Sequence, residues 1–174
     1  KTSFTVNLAI CLGGMGYRVV IIDGDFGLAN IDLMLGVTSK YDLSYFISGQ
    51  KEFNEVAVKG PNGIRFISGG SGVRELINFT GWKLEQLLSR IERLDQEADI
   101  VLIDTGAGIS DKVMKMILAS DETILIVTPE PTSIMDAYAL VKIAVSEDPT
   151  IRMRLVVNKA ENVYEAKQIL DKFS

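Results

Sequence analysis

The sequence predicts an α/β fold in which helices cover both faces of a doubly wound, mostly parallel sheet. Apolar runs rich in Val, Ile and Leu recur along the 174 residues. These runs are nearly continuous instead of alternating, as strands covered on both faces require. Helical patterns separate them, so strand and helix alternate. That order implies right-handed crossovers and a ligand site beyond the carboxyl ends of the strands.

Each predicted element has its own local pattern. The strands are the apolar, β-branched runs at residues 18–23 ("RVVIID"), 64–68, 99–104 ("DIVLID"), 122–128 and 152–158. The helices are the intervening segments with helical spacing of apolar residues, at 3–12, 41–47, 82–94, 110–119, 133–145 and 163–173. The segment 41–79 is the least regular, so its elements are the hardest to predict.

Composition narrows the function classes. The chain is 47% hydrophobic and 24% charged, which suits one globular domain with a sizeable core. It has no histidine, which excludes imidazole zinc sites, His-based triads and histidine proton relays. Its one cysteine, Cys11, lies in an apolar segment and is predicted to be a core residue in a protein of the reducing cytoplasm. The net charge of −5, without a Lys/Arg cluster, argues against nucleic acid as a partner.

Carboxylates follow two of the predicted strands. Asp23 and Asp25 are two residues apart, so their side chains project to the same side, and Asp104 ends "DIVLID" in the same manner. If the two strands are near neighbours, three carboxylates converge at the ligand-binding edge, where they repel one another unless a cation joins them. Mg²⁺, held partly through waters, fits such an oxygen-only set. The alternative is that these aspartates cap turns.

A phosphate site is indicated at the start of the first predicted helix. Lys1, Thr2 and Ser3 stand there, and a helix amino terminus attracts anions through its free N–H groups and its dipole. A lysine followed by a hydroxyl residue ends the phosphate-binding loop G-x-x-x-x-G-K-[ST]. The order of this helix, a strand ending in Asp-x-Asp and a strand ending in Asp before "TGAG" is the layout of P-loop ATPases.

Longer motifs carry a family resemblance. "KTSFTVNLAICLGGMGYRVVIIDGDFGLANIDLMLG" resembles the MinD/ParA family of deviant Walker A ATPases, starting at the second lysine of that motif. "VLIDTGAGIS" is similar to its Walker B strand and second switch, "TPEPTSIMDAYALVK" to the next strand-to-helix segment, and "VVNKAEN" to its adenine-side strand. Within the family, "DGDFGLANIDLMLG", "DTGAGIS" and "PEPTSIMDAYAL" are most similar to the flagellar-placement branch known as FlhG, YlxH or FleN. The fold implied is a P-loop NTPase of the SIMIBI/MinD-like type.

The resemblance implies roles for the phosphate and metal residues. Lys1 resembles the P-loop lysine that neutralises the β- and γ-phosphates, and Thr2 the hydroxyl ligand of Mg²⁺. Ser3 follows at the same phosphate-binding terminus. Asp23 and Asp104 resemble the carboxylates that hold the magnesium water shell, and Asp104 is counted with Lys1 among the catalytic residues.

Four further positions receive roles from the resemblance. Asp25 resembles the catalytic first-switch aspartate that orients the attacking water, and Gly108 the second-switch glycine whose N–H can face the γ-phosphate. Asn158 resembles the asparagine that reads the adenine edge, and Glu130 matches a position near the nucleotide-dependent dimer interface.

Plainer interpretations stand beside some of these roles. Asn30 and Asp32 are better explained as loop-capping residues than as nucleotide ligands. Asp104 could open a turn, and Asn158 could simply end a strand. Trp82 is predicted to be a buried anchor, and the helix at 134–145 to carry mainly a core-facing stripe.

The resemblance implies an Mg²⁺-dependent ATPase that acts as a switch, with ATP held between two protomers of a homodimer. Its implied role is to set the number or placement of bacterial flagella, with the FlhF GTPase and flagellar basal-body proteins as partners. The implied location is the cytoplasm, peripheral at the inner face of the cell membrane when ATP is bound. The rivals are MinD-type division-site placement, ParA-type partition, a phospho-accepting receiver domain and a nucleotide-binding scaffold that does not hydrolyse.

The resemblance also implies that residues 1–174 are a single P-loop domain truncated at both ends. The family's first strand, glycine loop and signature lysine would precede Lys1, and its later strands and carboxyl-terminal membrane-targeting helix would follow Ser174. We therefore expect the isolated chain to fold poorly and not to hydrolyse ATP.

Overall fold

The structure is a computed structural model of the chain, and it describes residues 1–25, 31–70 and 81–173. Two compact units divide the chain, Lys1–Gly106 and Ala107–Ser174. Each unit has its own sheet and its own apolar core. The expectation of a single, truncated domain stays a prediction.

The first unit is a four-stranded sheet with helices. Its elements are α1 (Thr2–Gly14), β1 (Val19–Gly24), α2 (Ile31–Leu35), α3 (Leu43–Ile47), α4 (Phe53–Val56), β2 (Val58–Lys59), β3 (Arg65–Ile67), α5 (Gly81–Ile91) and β4 (Ile100–Thr105). The strand order is β2-β3-β1-β4. β1 runs parallel to both β3 and β4, and only the two-residue β2 is antiparallel.

The described part of the second unit contains a parallel pair of strands, three α-helices and a short 3₁₀ helix, Asp171–Phe173. Its elements are α6 (Asp111–Leu118), β5 (Thr123–Val127), α7 (Pro131–Glu147), β6 (Met153–Val157) and α8 (Val163–Leu170). Two small apolar clusters form its core, one where α6 meets α7 and one around Val127 and Ile169. Among the described residues, no helix combines the length and the apolar character needed to cross a membrane.

The predicted α/β class, with mostly parallel strands, is confirmed. Each predicted strand and helix lies within a few residues of its expected position. For example, the helix predicted from residue 41 begins at Leu43, because the Asp42 carboxylate caps it by accepting from the Ser44 N–H at 2.8 Å. The described strands form two sheets, and the short elements α2, α4 and β2 were not predicted.

The core of the first unit explains the continuous apolar run of β1. Val19 to Ile22 are buried at every position, so both faces of this strand are covered. Val6 and Ala9 of α1 pack into the same cluster as Phe66 of β3. The end of α1 comes so close that a Cβ on Gly13 would lie 2.8 Å from the Ile64 side chain, which is why glycine suits that position.

Two burial predictions were wrong. Cys11 is exposed, because it shares a face of α1 with the exposed Ser3 and Asn7 at spacings of four residues. Trp82 is 58% exposed, since Leu84 and Leu87 take the buried face of α5 and residue 82 points away from them.

Ion pairs link residues at the amino ends of the parallel strands in the first sheet, opposite its carboxyl edge. Arg18, directly before β1, donates to Asp99, directly before β4, through Nη2 at 2.6 Å and Nε at 3.1 Å. The Arg18 backbone N–H also donates to Asp99 Oδ2 at 2.8 Å. These hydrogen bonds lower the pKa of Asp99 below its ordinary value, the side-chain bond contributing most. Arg65 lowers the pKa of Glu97 in the same way.

We expect the Asp99 pairing to stabilise the fold at neutral pH and to be lost in acid. A lowered folded-state pKa contributes stability above the unfolded-state pKa, and the contribution disappears as the pH falls through the folded value, here below about pH 4. Asp99→Asn should lower the urea midpoint of the full-length protein at pH 7, and this difference should shrink as the pH falls below about 4. Asp136→Asn, which changes an exposed aspartate of α7, is the control. A midpoint difference that does not shrink in acid would contradict this assignment.

Candidate active site

Two buried carboxylates stand side by side at the carboxyl edge of the first sheet. Asp23 ends the buried run of β1, and its register partner on β4 is Asp104. They are 1% and 3% exposed. Asp23 accepts from the Asp25 N–H at 3.1 Å and the Ile31 N–H at 3.5 Å. The condition for convergence, that the two strands are neighbours, is therefore met, and the parallel register places Asp23 opposite Asp104.

Lys1 and Asp25 each lie against Gly106, two residues after Asp104. The Lys1 ammonium donates to the Gly106 carbonyl oxygen at 3.4 Å. A Cβ on Gly106 would lie 3.3 Å from Asp25 Oδ1, so the Asp25 carboxylate faces the bare backbone of that glycine. One cation and one half-buried carboxylate thus share the edge at which β1 and β4 end.

The amino terminus of α1 supplies the next groups. The helix runs over Thr2–Gly14 with Lys1 at its N-cap, and its first turn contains no acidic residue. Thr2 is half-buried and Ser3 is exposed. A helix start without acidic side chains leaves its positive dipole end for an external anion.

Thr5 is a residue that sequence reasoning missed. Its hydroxyl donates to Asp104 Oδ1 at 3.0 Å, across 99 residues of sequence. The only available signal was its spacing of three residues from Thr2, which places both hydroxyls on one helix face.

The donor set fits a hard divalent cation. Asp23, Asp104 and Thr2 offer only oxygen, and two adjacent buried carboxylates repel each other unless a cation lies near them. Within the described ranges, however, no group of three or more His, Cys, Asp or Glu residues is arranged to hold a metal. The three carboxylates lie at the same edge of the first sheet, Asp23 and Asp104 in register and Asp25 against Gly106. The donor set fits Mg²⁺ that keeps much of its water shell.

The other predicted site residues lie in the second unit, and their roles stay predictions. Gly108 has φ of +97°, a conformation that side chains disfavour. Glu130 is exposed immediately before α7. Asn158 follows β6; its N–H donates to the Val127 carbonyl at 2.8 Å, and its side-chain oxygen accepts from the Lys159 N–H at 3.0 Å.

Asn30 and Asp32 were predicted to cap loops, and the structure describes only Asp32. Asn30 lies outside the described residues. Asp32 is the second residue of α2, in the first turn, where a carboxylate interacts favourably with the helix dipole. Its Oδ1 is buried with no hydrogen-bond partner among the residues described, so its assignment as a loop cap stays a prediction.

Comparison with models of protein families identifies the family of this chain. The family model ParA, described as NUBPL iron-transfer P-loop NTPase, matches residues 1–165. The chain belongs to the ParA family of P-loop NTPases. The family resemblance carried by the sequence motifs is therefore confirmed.

Two relatives are similar to this chain over most of its length. Antiactivator FleN from Pseudomonas aeruginosa is 36% identical over 174 residues, which is all of this chain and 62% of that protein. Flagellum site-determining protein YlxH from Helicobacter pylori is 34% identical over 144 residues, covering 82% of this chain and 49% of that protein. The chain thus spans about half to three-fifths of the length of these relatives.

Solved structures confirm the predicted fold. The septum site-determining protein MinD from Pyrococcus horikoshii, complexed with Mg-ADP, superposes with a TM-score of 0.78 and 24% identity, over 97% of this chain and 71% of that structure. This chain therefore has the P-loop NTPase fold that its motifs predicted.

Proposed function

We propose that this chain forms the nucleotide-binding part of an Mg²⁺-dependent ATPase that works as a switch. One observation carries the proposal: Lys1 and Asp25 each lie against Gly106, two residues after Asp104 of the buried pair Asp23 and Asp104. A cation for phosphate, a carboxylate for water and a carboxylate pair for a metal are the groups that phosphoryl transfer requires.

The division of labour follows from the position of each group. Lys1 and the first N–H groups of α1, at Thr2 and Ser3, would bind and orient the phosphates. The Thr2 hydroxyl would contact Mg²⁺, and Asp23 and Asp104 would hold its waters. Mg²⁺ neutralises charge on the transferred phosphoryl group when it is bound.

Asp25 would accept a hydrogen bond from the attacking water and align it. A carboxylate is a weak base, and the chain contains no histidine. Catalysis would therefore depend on positioning and electrostatics, and slow turnover suits a switch. In the second unit, the Gly108 N–H would face the γ-phosphate, Asn158 would read the adenine edge, and Glu130 would lie near the dimer interface.

The cellular role that we propose is control of flagellar number or placement. Its support is sequence similarity: the chain is 36% identical to FleN over its whole length and 34% identical to YlxH over 82% of its length. We further propose that the protein forms an ATP-dependent homodimer and that its partners are the FlhF GTPase and flagellar basal-body proteins. We do not expect it to bind nucleic acid. The protein would be cytoplasmic and would attach to the inner face of the membrane, through a carboxyl-terminal helix of the full-length protein, when ATP is bound.

Calorimetric titration of the full-length protein with Mg²⁺-ATP tests the site. We expect Lys1→Ala to weaken binding roughly 10-fold or more, since a hydrogen bond to a charged group contributes about 1.5–3 kcal/mol. Lys142→Ala, an exposed lysine of α7, should bind as the wild type does. Absence of binding by the wild type, or full binding by Lys1→Ala, would refute the proposed site.

A further inference from the structure

We propose that Thr5 is a positioning residue for Asp104: its hydroxyl holds the carboxylate in the orientation needed to bind the water shell of Mg²⁺. This inference rests on the proposed function and adds a residue to its site. The observation is the 3.0 Å hydrogen bond from Thr5 Oγ1 to Asp104 Oδ1. Thr5 touches neither nucleotide nor metal in this scheme and acts only through the carboxylate.

The Thr5 hydroxyl has one proton and two acceptors within reach. Asp104 Oδ1 is at 3.0 Å and the Lys1 carbonyl oxygen is at 3.4 Å. The Lys1 carbonyl already accepts from the Thr5 backbone N–H at 2.9 Å, as the first hydrogen bond of the helix. Because that carbonyl is satisfied and a carboxylate is the stronger acceptor, the proton belongs to Asp104.

The surroundings of Asp104 make its orientation sensitive to this contact. The residue is 3% exposed and stands opposite Asp23 in the register of β1 and β4. Two adjacent carboxylates repel, so each needs donors that fix where its oxygens point. Thr5 supplies such a donor from α1, on the helix face that also carries Thr2. Partners of this kind orient the groups around a metal.

Magnesium dependence separates positioning from a merely structural link between α1 and β4. We would measure ADP affinity of the full-length protein by calorimetry, once in Mg²⁺ and once in EDTA. The variants are Thr5→Val and Thr5→Ala, which lack the hydroxyl, and Thr5→Ser, which keeps it. Asn7→Ala is the control, because it removes a side-chain bond to the Ser3 carbonyl on the same helix without touching Asp104.

We expect Thr5→Val and Thr5→Ala to weaken ADP binding about 10-fold in Mg²⁺, the lower end of the effect of such outer partners, and to bind as the wild type does in EDTA. Thr5→Ser and Asn7→Ala should match the wild type in both media. Thr5→Ala covers the case in which valine perturbs the helix, because alanine is the better helix former.

Several results would overturn the proposal. Equal losses in Mg²⁺ and EDTA would show a structural role, and no loss in either would show no role. A Thr5→Ser variant as weak as Thr5→Val would show that the hydroxyl is not responsible. Wild-type protein that gains no ADP affinity from Mg²⁺ would contradict the proposed function itself, whereas the other results leave that function standing.

Discussion

Asp25→Ala in the full-length protein is expected to lower phosphate release from ATP by roughly 10²-fold or more, the usual contribution of a positioned group to proton transfer and water alignment. Mg²⁺-ATP binding should persist. The reason is the division of the carboxylates: Asp23 and Asp104 form the buried pair suited to the metal, whereas the Asp25 carboxylate faces Gly106 beside Lys1. Loss of Asp25 should therefore remove alignment of the water and leave the metal ligands in place.

Two comparisons sharpen this measurement. Asp25→Asn keeps the size of the side chain but removes its charge, so it should fall close to Asp25→Ala in phosphate release. Asp136→Asn, far along the sequence on an exposed face of α7, controls for loss of any aspartate charge. Equal rates for Asp25→Ala and wild type would refute the catalytic assignment. A parallel loss of Mg²⁺-ATP binding would instead make Asp25 part of the metal site.

The elements that could be predicted are those whose pattern is local and long enough to read. The four consecutive apolar residues from Val19 to Ile22 predict a strand covered on both faces. In the structure all four are buried in β1. Asp23 and Asp104 each follow such a run, so their place at the carboxyl edge was also predictable. Their pairing was only conditional, because it depends on β1 and β4 being neighbours.

Other features depend on contacts that sequence spacing does not encode. β2 has two residues and α4 has four, too few for either period to show. Thr5 gains its role from Asp104, 99 positions away. The position of the Asp25 carboxylate depends on Gly106, where the absence of a side chain makes room for it. Cys11 was mispredicted because an apolar stretch does not show which helix face meets the sheet.

Phe66→Ala should produce the largest loss of stability that we predict, about 3–5 kcal/mol in the free energy of unfolding, as for other buried phenylalanines. Phe66 is 0% exposed on β3, where its register partners are Ile21 of β1 and Val58 of β2. It also packs with residues of α1 in the same core cluster. Removing its ring leaves a cavity next to β1, β2 and α1, and these packed elements cannot easily move to fill it.

Urea unfolding of the full-length protein measures this loss as a shift of the midpoint at constant m-value. Phe66→Leu keeps most of the apolar contact and should cost less than Phe66→Ala. Tyr17→Ala, at a half-exposed aromatic between α1 and β1, should cost much less than either, since its ring already contacts water. Similar losses for Phe66→Ala and Tyr17→Ala would mean that burial in this cluster is not what stabilises the first unit. A loss confined to Phe66 would instead locate the stability of the first unit in the contact of α1 with β1 and β3, the elements that also position Lys1 and Asp23.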